Sequence, residues 1–422
     1  MLFIPHKLVP KNKKVAYSNM ACDYRPDKEE KFRVRLTLGG DVLEYYGDVS
    51  SPAASLLETK ILINSVVSDM HQGARFLTLD IKDFFLQSIL NDPEYIRIHQ
   101  KYFLPDIRQQ YNINSLIHID DYVYCKLQRG MYGLKQAARL ARDQLIKNLA
   151  PFGYKPHTTS PNIWIHHTRP TKFCLCVDDF GVKYFSENDV QHLLHALQTN
   201  YDITINRTGN KFCGLHINWN YQKGFVDVSM RTYVHKALTK LKHPLPKKAQ
   251  HAPHPWQPIN YGKETHLTTP DNTPYLPTSS IPHIKRIVGT FLYYARTVDP
   301  TIHTAVNELA ITQAKPTEKT QSSTKMLLDY LATHTTSTLR FHCSGMQLHI
   351  DTDVAYLEAP NSKSRVAGYY YLSQYYNIYQ KSLLLSLMHL STLNVIYYDT
   401  WSLLQLKLKL QEFFTIAKQQ FQ

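Results

Sequence analysis

The chain has 422 residues, of which 43% are hydrophobic and 19% charged, so it can form ordinary cores and is not a wholly disordered protein. Lysine and arginine outnumber aspartate and glutamate by 48 to 34, and the net charge of +14 favours a polyanionic partner such as a nucleic acid. The six cysteines lack CxxC spacing, which argues against a zinc site or a disulfide framework and predicts reduced core thiols in an intracellular protein. The apolar run at the start is too short for a signal peptide, and cytoplasmic and nuclear residence are not distinguishable.

The first predicted elements are a basic strand and a strand that ends at a carboxylate. Residues 31–38, KFRVRLTL, alternate cations with apolar residues at the period of a strand, which places Arg33 and Arg35 on one face. The segment Ala74–Gln87, ARFLTLDIKDFFLQ, has an apolar run that ends at Asp80 and then passes into a helix.

The middle of the chain predicts alternating strands and helices. Tyr122–Gly133 is a hairpin-like stretch that leads into an amphipathic helix with apolar residues at helical spacing up to Leu149. Lys172–Phe185, KFCLCVDDFGVKYF, contains two β-rich runs separated by an acidic turn, and a second amphipathic helix follows from Ser186.

The last part of the chain is less regular. A stretch rich in Pro, His, Lys and Thr between residues 243 and 283 is interpreted as a linker. Helical patterns resume at Ile284–Ala295 and Lys325–Thr333, and a strand-like run starts near Met346. The uncharged segment Ser382–Tyr398 is interrupted by polar residues and is interpreted as a core element or damaged sequence, not as a membrane helix.

Three aspartates form the pattern that points to chemistry. Nucleotide addition requires two divalent cations, about 3.5–4 Å apart, held by carboxylates at the ends of adjacent strands. Because Mg²⁺ prefers oxygen ligands and keeps several waters, two or three carboxylates are enough. Asp80 ends an apolar strand, and Asp178 and Asp179 stand in a tight turn 98 residues later. An Asp pair alone is typical of an ordinary turn, so the pairing with Asp80 decides the interpretation.

At this point the sequence resembles a known family. TLDIKDFFLQ, GMYGLKQAARLAR and CVDDFGVKY, in this order, resemble motifs A, B and C of the reverse transcriptases of copia-type LTR retrotransposons. CDYRPDKEEKFRVRLTLGGD and KFCGLHINW are similar to the fingers and post-catalytic segments of that family, so the resemblance runs from about Lys11 to Ser373. It implies an α/β (α+β) fold, a right-hand polymerase with fingers, palm and thumb, followed by a remnant ribonuclease H-like domain.

The resemblance also implies the metal-binding residues. Asp80 and Asp178 match the two aspartates that bind both metals, and Asp179 matches the second Asp of motif C. The implied cofactor is Mg²⁺, as two ions, with Mn²⁺ as the alternative.

Further residues are implied to contact the nucleotide. Phe85 matches the aromatic gate that excludes ribonucleotides, with a core aromatic as the alternative, and Gln136 matches the motif B glutamine beside the incoming nucleotide. Either Arg33 or Arg35 would bind the triphosphate. Lys211 matches a late-palm lysine near the pyrophosphate and is equally consistent with a surface lysine.

The ribonuclease H-like region departs from the family pattern. Asp351, in LHIDTDVAYL, matches its first metal-binding carboxylate, but no Asp or Glu occurs from Gln380 to Tyr398, where the family requires a Glu. We therefore predict that ribonuclease H activity has been lost. Cys176, two places before the Asp pair, replaces the family's aromatic or aliphatic residue and is not expected to inactivate the polymerase.

The expected organisation has three parts: fingers and palm at 1–230, a thumb and connection with the linker at 231–343, and a degenerate ribonuclease H-like region at 344–422. The predicted function is DNA polymerisation on RNA and DNA templates, with template–primer and dNTPs as partners, no membrane partner and no prediction of oligomeric state. One alternative is an inactive relic that keeps the fold and binds nucleic acid. A second is an unrelated nucleic-acid-binding or structural protein with motifs matched by chance.

Overall fold

Strands and helices alternate along the part of the chain that the computed structural model describes, which comprises residues 1–25, 30–255, 271–359, 363–374 and 396–398. The strands are β1 (Leu2–Ile4), β2 (Val15–Tyr24), β3 (Phe32–Leu38), β4 (Arg75–Ile81), β5 (Ile89–His99), β6 (Tyr122–Arg129), β7 (Tyr154–Pro156), β8 (Ile163–His166), β9 (Lys172–Cys176), β10 (Asp179–Tyr184), β11 (Ile203–Asn206), β12 (Lys211–Phe212), β13 (Leu215–Asn220), β14 (Phe225–Ser229), β15 (Thr338–His342), β16 (Gln347–Ala359), β17 (Lys363–Ser373) and β18 (Ile396–Tyr398). The helices are α1 (Leu56–Ser68), α2 (Phe84–Gln87), α3 (Pro105–Gln110), α4 (Ala137–Leu149), α5 (Glu187–Gln198), α6 (Tyr233–Leu241), α7 (Ile281–Thr297), α8 (His303–Thr312) and α9 (Glu318–Thr333). The fold is therefore mixed α/β, as expected.

Most elements predicted from the sequence are confirmed. The basic strand is β3, the strand that ends at a carboxylate and passes into a helix is β4 followed by α2, and the two β-rich runs around the acidic turn are β9 and β10. The predicted hairpin at Tyr122–Gly133 is wrong, because its first eight residues form the single strand β6, which pairs with both β1 and β5. Alternation along this segment has the same period in one strand as in two, so only the pairing partners distinguish them.

The strands form four sheets. Their strand orders are β1-β6-β5-β2-β3, β11-β4-β10-β9-β8-β7, β12-β13-β14-β15 and β16-β17-β18. The hairpin of β16 and β17 confirms the strand predicted near Met346 and carries Asp351 opposite Tyr369. Most of the segment Ser382–Tyr398 lies outside the described residues, so its predicted character is not addressed.

The chain divides into two compact units, both built from separate pieces of sequence. The first comprises Met1–Ala54, Leu79–Phe180 and Glu187–Ile205, and the second comprises the remaining described residues. The three-part division at residues 230 and 343 stays a prediction, since functional subdomains need not coincide with units defined by compactness.

The core of the first unit includes an apolar cluster between the five-stranded sheet and the start of α4. Its buried members are Ala16, Leu38, Leu43, Leu90, Ile96, Ile98, Cys125, Leu127, Met131, Leu134 and Ala137. A second group of aromatic side chains lies beneath β8–β10, where Trp164 stacks on Phe173 at 5.3 Å and Phe173 contacts Phe180 at 5.2 Å.

The second unit contains the helices α1 and α6–α9 and the four-stranded sheet. A capping box formed by Ser55 and Glu58 starts α1, satisfying two backbone N–H groups at the helix end. Val226, Val228 and Phe341 form a fully buried face of the four-stranded sheet.

All six cysteines are free thiols, and Cys125 and Cys174 are buried as predicted for core residues. The same prediction is wrong for Cys22, which is exposed. Among the described residues, no helix is both long enough and apolar enough to span a membrane.

Candidate active site

The end of β4 lies beside the turn between β9 and β10. β4 and β10 are neighbours in the sheet, and the backbone N–H of Ile81 donates a hydrogen bond to the carbonyl oxygen of Asp178 at 3.3 Å. Because side chains alternate along a strand, Leu79 and Ile81 are buried while Asp80 between them is exposed. The backbone thus brings the position of Asp80 next to that of Asp178, and their metal-binding roles stay predictions.

The turn that carries the Asp pair has an unusual backbone. Val177, which precedes Asp178, has φ = 64° and is 47% exposed. A β-branched residue in the left-handed region is an outlier that costs about 1–3 kcal/mol, and such strain persists only where the surroundings impose it. Here the turn is held between β9 and β10, whose Phe173 and Phe180 are fully buried. The positions of Asp178 and Asp179 are therefore set by two rigid strands.

The three carboxylates provide a donor set that suits Mg²⁺. Within the described ranges, no three His, Cys, Asp or Glu side chains are grouped so that they could hold a metal ion together. Mg²⁺ is commonly bound through only one or two carboxylates, with water and substrate phosphates as the other ligands, and therefore does not need such a group. One or two of the carboxylates of Asp80, Asp178 and Asp179 would be enough for this mode, and the magnesium site stays a prediction.

The two adjacent phenylalanines of motif A have different environments. Phe84 is 3% exposed and contacts the buried Tyr201, so it is a core residue. Phe85 is only half-buried and packs edge-on against Tyr132 at 5.6 Å. Gly130 leaves room for this arrangement, because a Cβ there would lie 2.3 Å from the carbonyl oxygen of Phe85. Phe85 is thus less buried than Phe84 but still packs against the apolar core, and both the gate and the core-aromatic interpretations of Phe85 stay predictions.

Tyr132, whose ring Phe85 contacts, also contacts an arginine. The guanidinium of Arg35 lies over the Tyr132 ring, 5.2 Å from its centroid. Arg33 instead stands opposite Asp23 in the register of β2 and β3. The sequence did not choose between the two arginines. In the structure Arg35 contacts the same Tyr132 ring as Phe85, and the role of either arginine stays a prediction.

Gln136 lies at the end of the turn that leads into α4. It is 4% exposed, and its Nε2 donates a hydrogen bond to Oε1 of Glu94 at 3.2 Å. Burial raises the pKa of the Glu94 carboxyl, and Lys13 and the bond from Gln136 partly offset this effect. The predicted contact of Gln136 with a nucleotide stays a prediction.

The two other predicted site residues belong to the second unit. Lys211 is exposed on β12 and borders a cavity of about 360 Å³ that is also lined by His216, Asn218 and Arg231. Asp351 is exposed on β16. The roles assigned to both by resemblance stay predictions.

Sequence reasoning did not single out Tyr132 or Glu94. Tyr132 stands inside the quoted motif GMYG, where nothing in the local pattern shows that its ring joins Phe85 to Arg35. Glu94 follows Pro93 in the polar stretch NDPEY, which is typical of an exposed turn. Its buried hydrogen-bond partner, Gln136, lies 42 positions away in the sequence.

The sequence of the chain is similar to those of known transposon proteins. No protein-family model matches the chain. A transposon Ty5-1 protein of Saccharomyces cerevisiae is 27% identical over 278 residues, which are 64% of this chain and 80% of the yeast protein. A retrovirus-related Pol polyprotein from transposon RE1 of Arabidopsis thaliana is 25% identical over 291 residues, or 68% of this chain. The chain is similar in sequence to both of these transposon proteins.

The relationship predicted from the three motifs is thus confirmed, while the copia-type assignment stays a prediction. The chain matches only 18% of the length of the Arabidopsis polyprotein. A solved structure of a foamy viral protease–reverse transcriptase in complex with double-stranded DNA has a TM-score of 0.41 and 14% identity, with 85% of this chain and 50% of that chain covered.

Proposed function

We propose that the chain is a reverse transcriptase, the polymerase region of a retrotransposon polyprotein, that copies RNA and DNA templates into DNA. In this reaction the primer 3′-hydroxyl attacks the α-phosphorus of a dNTP, and pyrophosphate leaves. The observation that carries the proposal is the hydrogen bond between Ile81 and Asp178, because it aligns the two segments that supply Asp80 and the Asp pair. The relationship to transposon proteins supports the same assignment.

The proposed roles follow the environment of each side chain. Asp80, Asp178 and Asp179 would hold two Mg²⁺ ions at the end of β4 and in the strained turn. When bound, these ions would lower the pKa of the primer hydroxyl and neutralise the leaving pyrophosphate. The chain itself would contribute a rigid turn, so that little reorganisation is needed at the moment of reaction.

The nucleotide would lie against the side chains around Tyr132. The half-buried ring of Phe85 would occupy the space of a ribose 2′-hydroxyl, and Arg35 would bind the triphosphate through its planar guanidinium. Template and primer would be held through phosphate and shape contacts, in keeping with the net charge of +14. Fingers and palm within 1–230, a thumb within 231–343 and a degenerate ribonuclease H-like region within 344–422 are part of the proposal.

Template-directed synthesis is the direct test. The purified chain is incubated with Mg²⁺, dTTP and oligo(dT) primer on poly(rA) or poly(dA), with the unannealed primer and an EDTA-treated sample as controls. We expect extension on both templates that requires the template and the metal ion. Binding of template–primer without any extension would contradict the proposal and identify an inactive relic.

The loss of ribonuclease H activity is tested separately. The chain is incubated with Mg²⁺ and a labelled RNA–DNA hybrid, and the RNA strand is analysed for cleavage. We expect the RNA to remain intact because the glutamate required by the resemblance is missing from the segment 380–398. Cleavage that an Asp351→Asn variant abolishes would contradict this part of the proposal.

A further inference from the structure

Two histidines at the end of β8 lie over a turn of the chain in the first unit. β7 and β8 pair with Tyr154 opposite His166, and Gly153 stands directly before β7. Gly153 has φ = 84°, and a Cβ there would lie 2.1 Å from Nδ1 of His167 and 2.7 Å from Nε2 of His166. Glycine therefore leaves the space in which the two imidazoles stack, with ring centroids 4.4 Å apart.

Both ring nitrogens of His166 face backbone groups. Its Nδ1 accepts hydrogen bonds from the N–H groups of Thr168 and Arg169, at 3.1 and 2.9 Å. Its Nε2 lies 2.9 Å from the carbonyl oxygen of Phe152, which can only accept a hydrogen bond. The ring proton is therefore on Nε2, and His166 is held in its neutral form.

The two bonds to Nδ1 close the turn between β8 and β9, which spans residues 167–171. A side chain that accepts from N–H groups two and three residues later is typical of asparagine and aspartate in turns. Unlike asparagine, histidine takes up a proton between pH 5 and 8. A proton on Nδ1 of His166 would remove the acceptor that both N–H groups share, so both bonds would be lost.

The groups around His166 disfavour a positive charge on its ring. His167 stacks on it, and His192 of α5 approaches it edge-on, with ring centroids 5.2 Å apart. Arg169 is held close by a 3.0 Å ion pair with Asp189 of α5. Burial lowers the pKa of His166, as do the three neighbouring basic side chains, and the hydrogen bond to the backbone carbonyl partly offsets this effect.

His192, on the helix that packs against this turn, has a similar environment. Its Nδ1 lies 3.0 Å from the hydroxyl of the buried Tyr154. Burial lowers the pKa of His192, and Asp189 partly offsets this effect. The basic groups that lower it further are Arg169, His195 and His167. Proton uptake by His166 and His192 is therefore disfavoured in the folded chain.

We propose that His166 is an acid-sensitive latch, which holds the turn between β8 and β9 closed when neutral and releases it when protonated. The inference goes beyond the proposed polymerase function and involves no template, metal ion or nucleotide. In the open turn His166 titrates at its ordinary pKa of about 6.5, whereas the closed turn excludes the second proton. Acid therefore favours the open form, by up to about thirtyfold at pH 5.0, which is about 1.5 units below that pKa.

Hydrogen–deuterium exchange of the full chain at pH 7.5, 6.5 and 5.0 tests the latch. Electron-transfer fragmentation resolves the Thr168 and Arg169 amides, and their protection is corrected for the intrinsic exchange rate at each pH. The amides of α4, in the same unit, report any general loss of structure. His166→Asn keeps an acceptor for the two N–H groups but does not titrate. His157→Asn is the matched control, because Nδ1 of His157 also faces an N–H group two residues later, that of Thr159 at 3.4 Å.

We expect the protection of both amides in the parent to fall at least tenfold between pH 7.5 and 5.0, while the α4 amides stay within about threefold. His157→Asn should lose this protection as the parent does. His166→Asn should keep it within about threefold, because its side-chain oxygen accepts at both pH values.

Four results would overturn the inference. These are a parent whose two amides stay protected at pH 5.0, α4 amides that lose protection in parallel, an acid response of His166→Asn equal to that of the parent, and its abolition by His157→Asn. Thermal unfolding at pH 7.5 identifies a His166→Asn variant that does not fold, and the contrast between the two amides and α4 in the parent then decides. Exchange is measured without primer extension, so failure of the proposed function leaves this inference open to the same test.

Discussion

Replacement of the buried Lys60 should change how the stability of the chain depends on pH. Lys60 lies in α1 with 2% of its surface exposed, and its Nζ donates a 2.7 Å hydrogen bond to the carbonyl oxygen of Arg296 in the last turn of α7. Burial lowers the pKa of Lys60 from 10.5 to about 8, because the charged form is poorly solvated.

The sign of the effect follows from proton binding. Between pH 8 and 10.5 the unfolded chain holds a proton on this lysine that the folded chain has lost, so the free energy of unfolding rises with pH in this interval. At about 1.4 kcal/mol per pH unit, the gap between the two pKa values corresponds to about 3 kcal/mol. Below pH 8 both states are protonated, and the folded state carries the full cost of the buried charge.

The variant Lys60→Met removes the ionisable group and nearly preserves the volume. We expect the variant to be more stable than the parent at pH 7, and the difference in free energy of unfolding between them to shrink by about 3 kcal/mol between pH 7 and 10.5. Urea unfolding at a series of pH values, followed by circular dichroism, measures this difference while cancelling groups common to both proteins.

The exposed Lys236 on α6, in the same unit, supplies the control. Lys236→Met controls for the loss of a lysine at an exposed position, where no burial acts on the side chain. If the difference between Lys60→Met and the parent were constant from pH 7 to 10.5, the reasoning from burial would be refuted.

Three further predictions concern the candidate site and its backbone. Relative to the parent, Val177→Asn should be more stable than Val34→Asn by about 1–2 kcal/mol in thermal unfolding, because asparagine tolerates the positive φ at position 177 whereas Val34 is an exposed residue of a regular strand. Equal effects of the two substitutions would show that the turn is unstrained. Phe85→Val should admit ribonucleotides, raising the ratio of rUTP to dTTP incorporation at least tenfold in primer extension, whereas an unchanged ratio would exclude the gate role. Gly133→Ala should destabilise the chain by more than about 1–2 kcal/mol, because φ of Gly133 is 99° and the new Cβ would lie 2.1 Å from a carbonyl oxygen of β3. Gly289→Ala, in the open interior of α7, should instead stabilise the chain by about 0.5–1 kcal/mol, and similar melting temperatures for the two variants would contradict this reasoning.

The sequence predicted those parts of the site that are encoded locally. The apolar run before Asp80 and the two β-rich runs around Asp178 and Asp179 each specify a strand that ends at a carboxylate, and the structure has these strands. Phe85 and Gln136 were found by their positions within motifs, which give a residue's place in the chain but not its burial.

The remaining features depend on contacts between distant segments. No local signal in the sequence indicates the pairing of Glu94 with Gln136, the contact of Arg35 with Tyr132 or the assignment of separate sequence segments to each compact unit. The positive φ of Val177 was equally hidden, since valine favours extended backbone and only the flanking strands impose the turn. Sequence patterns therefore located the candidate site residues, and the tertiary structure determined which neighbours surround them.

The central claim is tested most directly by one substitution, Asp178→Asn, measured in the same preparation for template–primer binding and for primer extension with Mg²⁺ on poly(rA)–oligo(dT). The account predicts that the variant binds template–primer as the parent does but loses extension by at least a thousandfold, whereas Asp106→Asn, at an exposed aspartate of α3, behaves as the parent in both assays. Extension by Asp178→Asn at the rate of the parent would contradict the assignment of the metal site to the turn between β9 and β10.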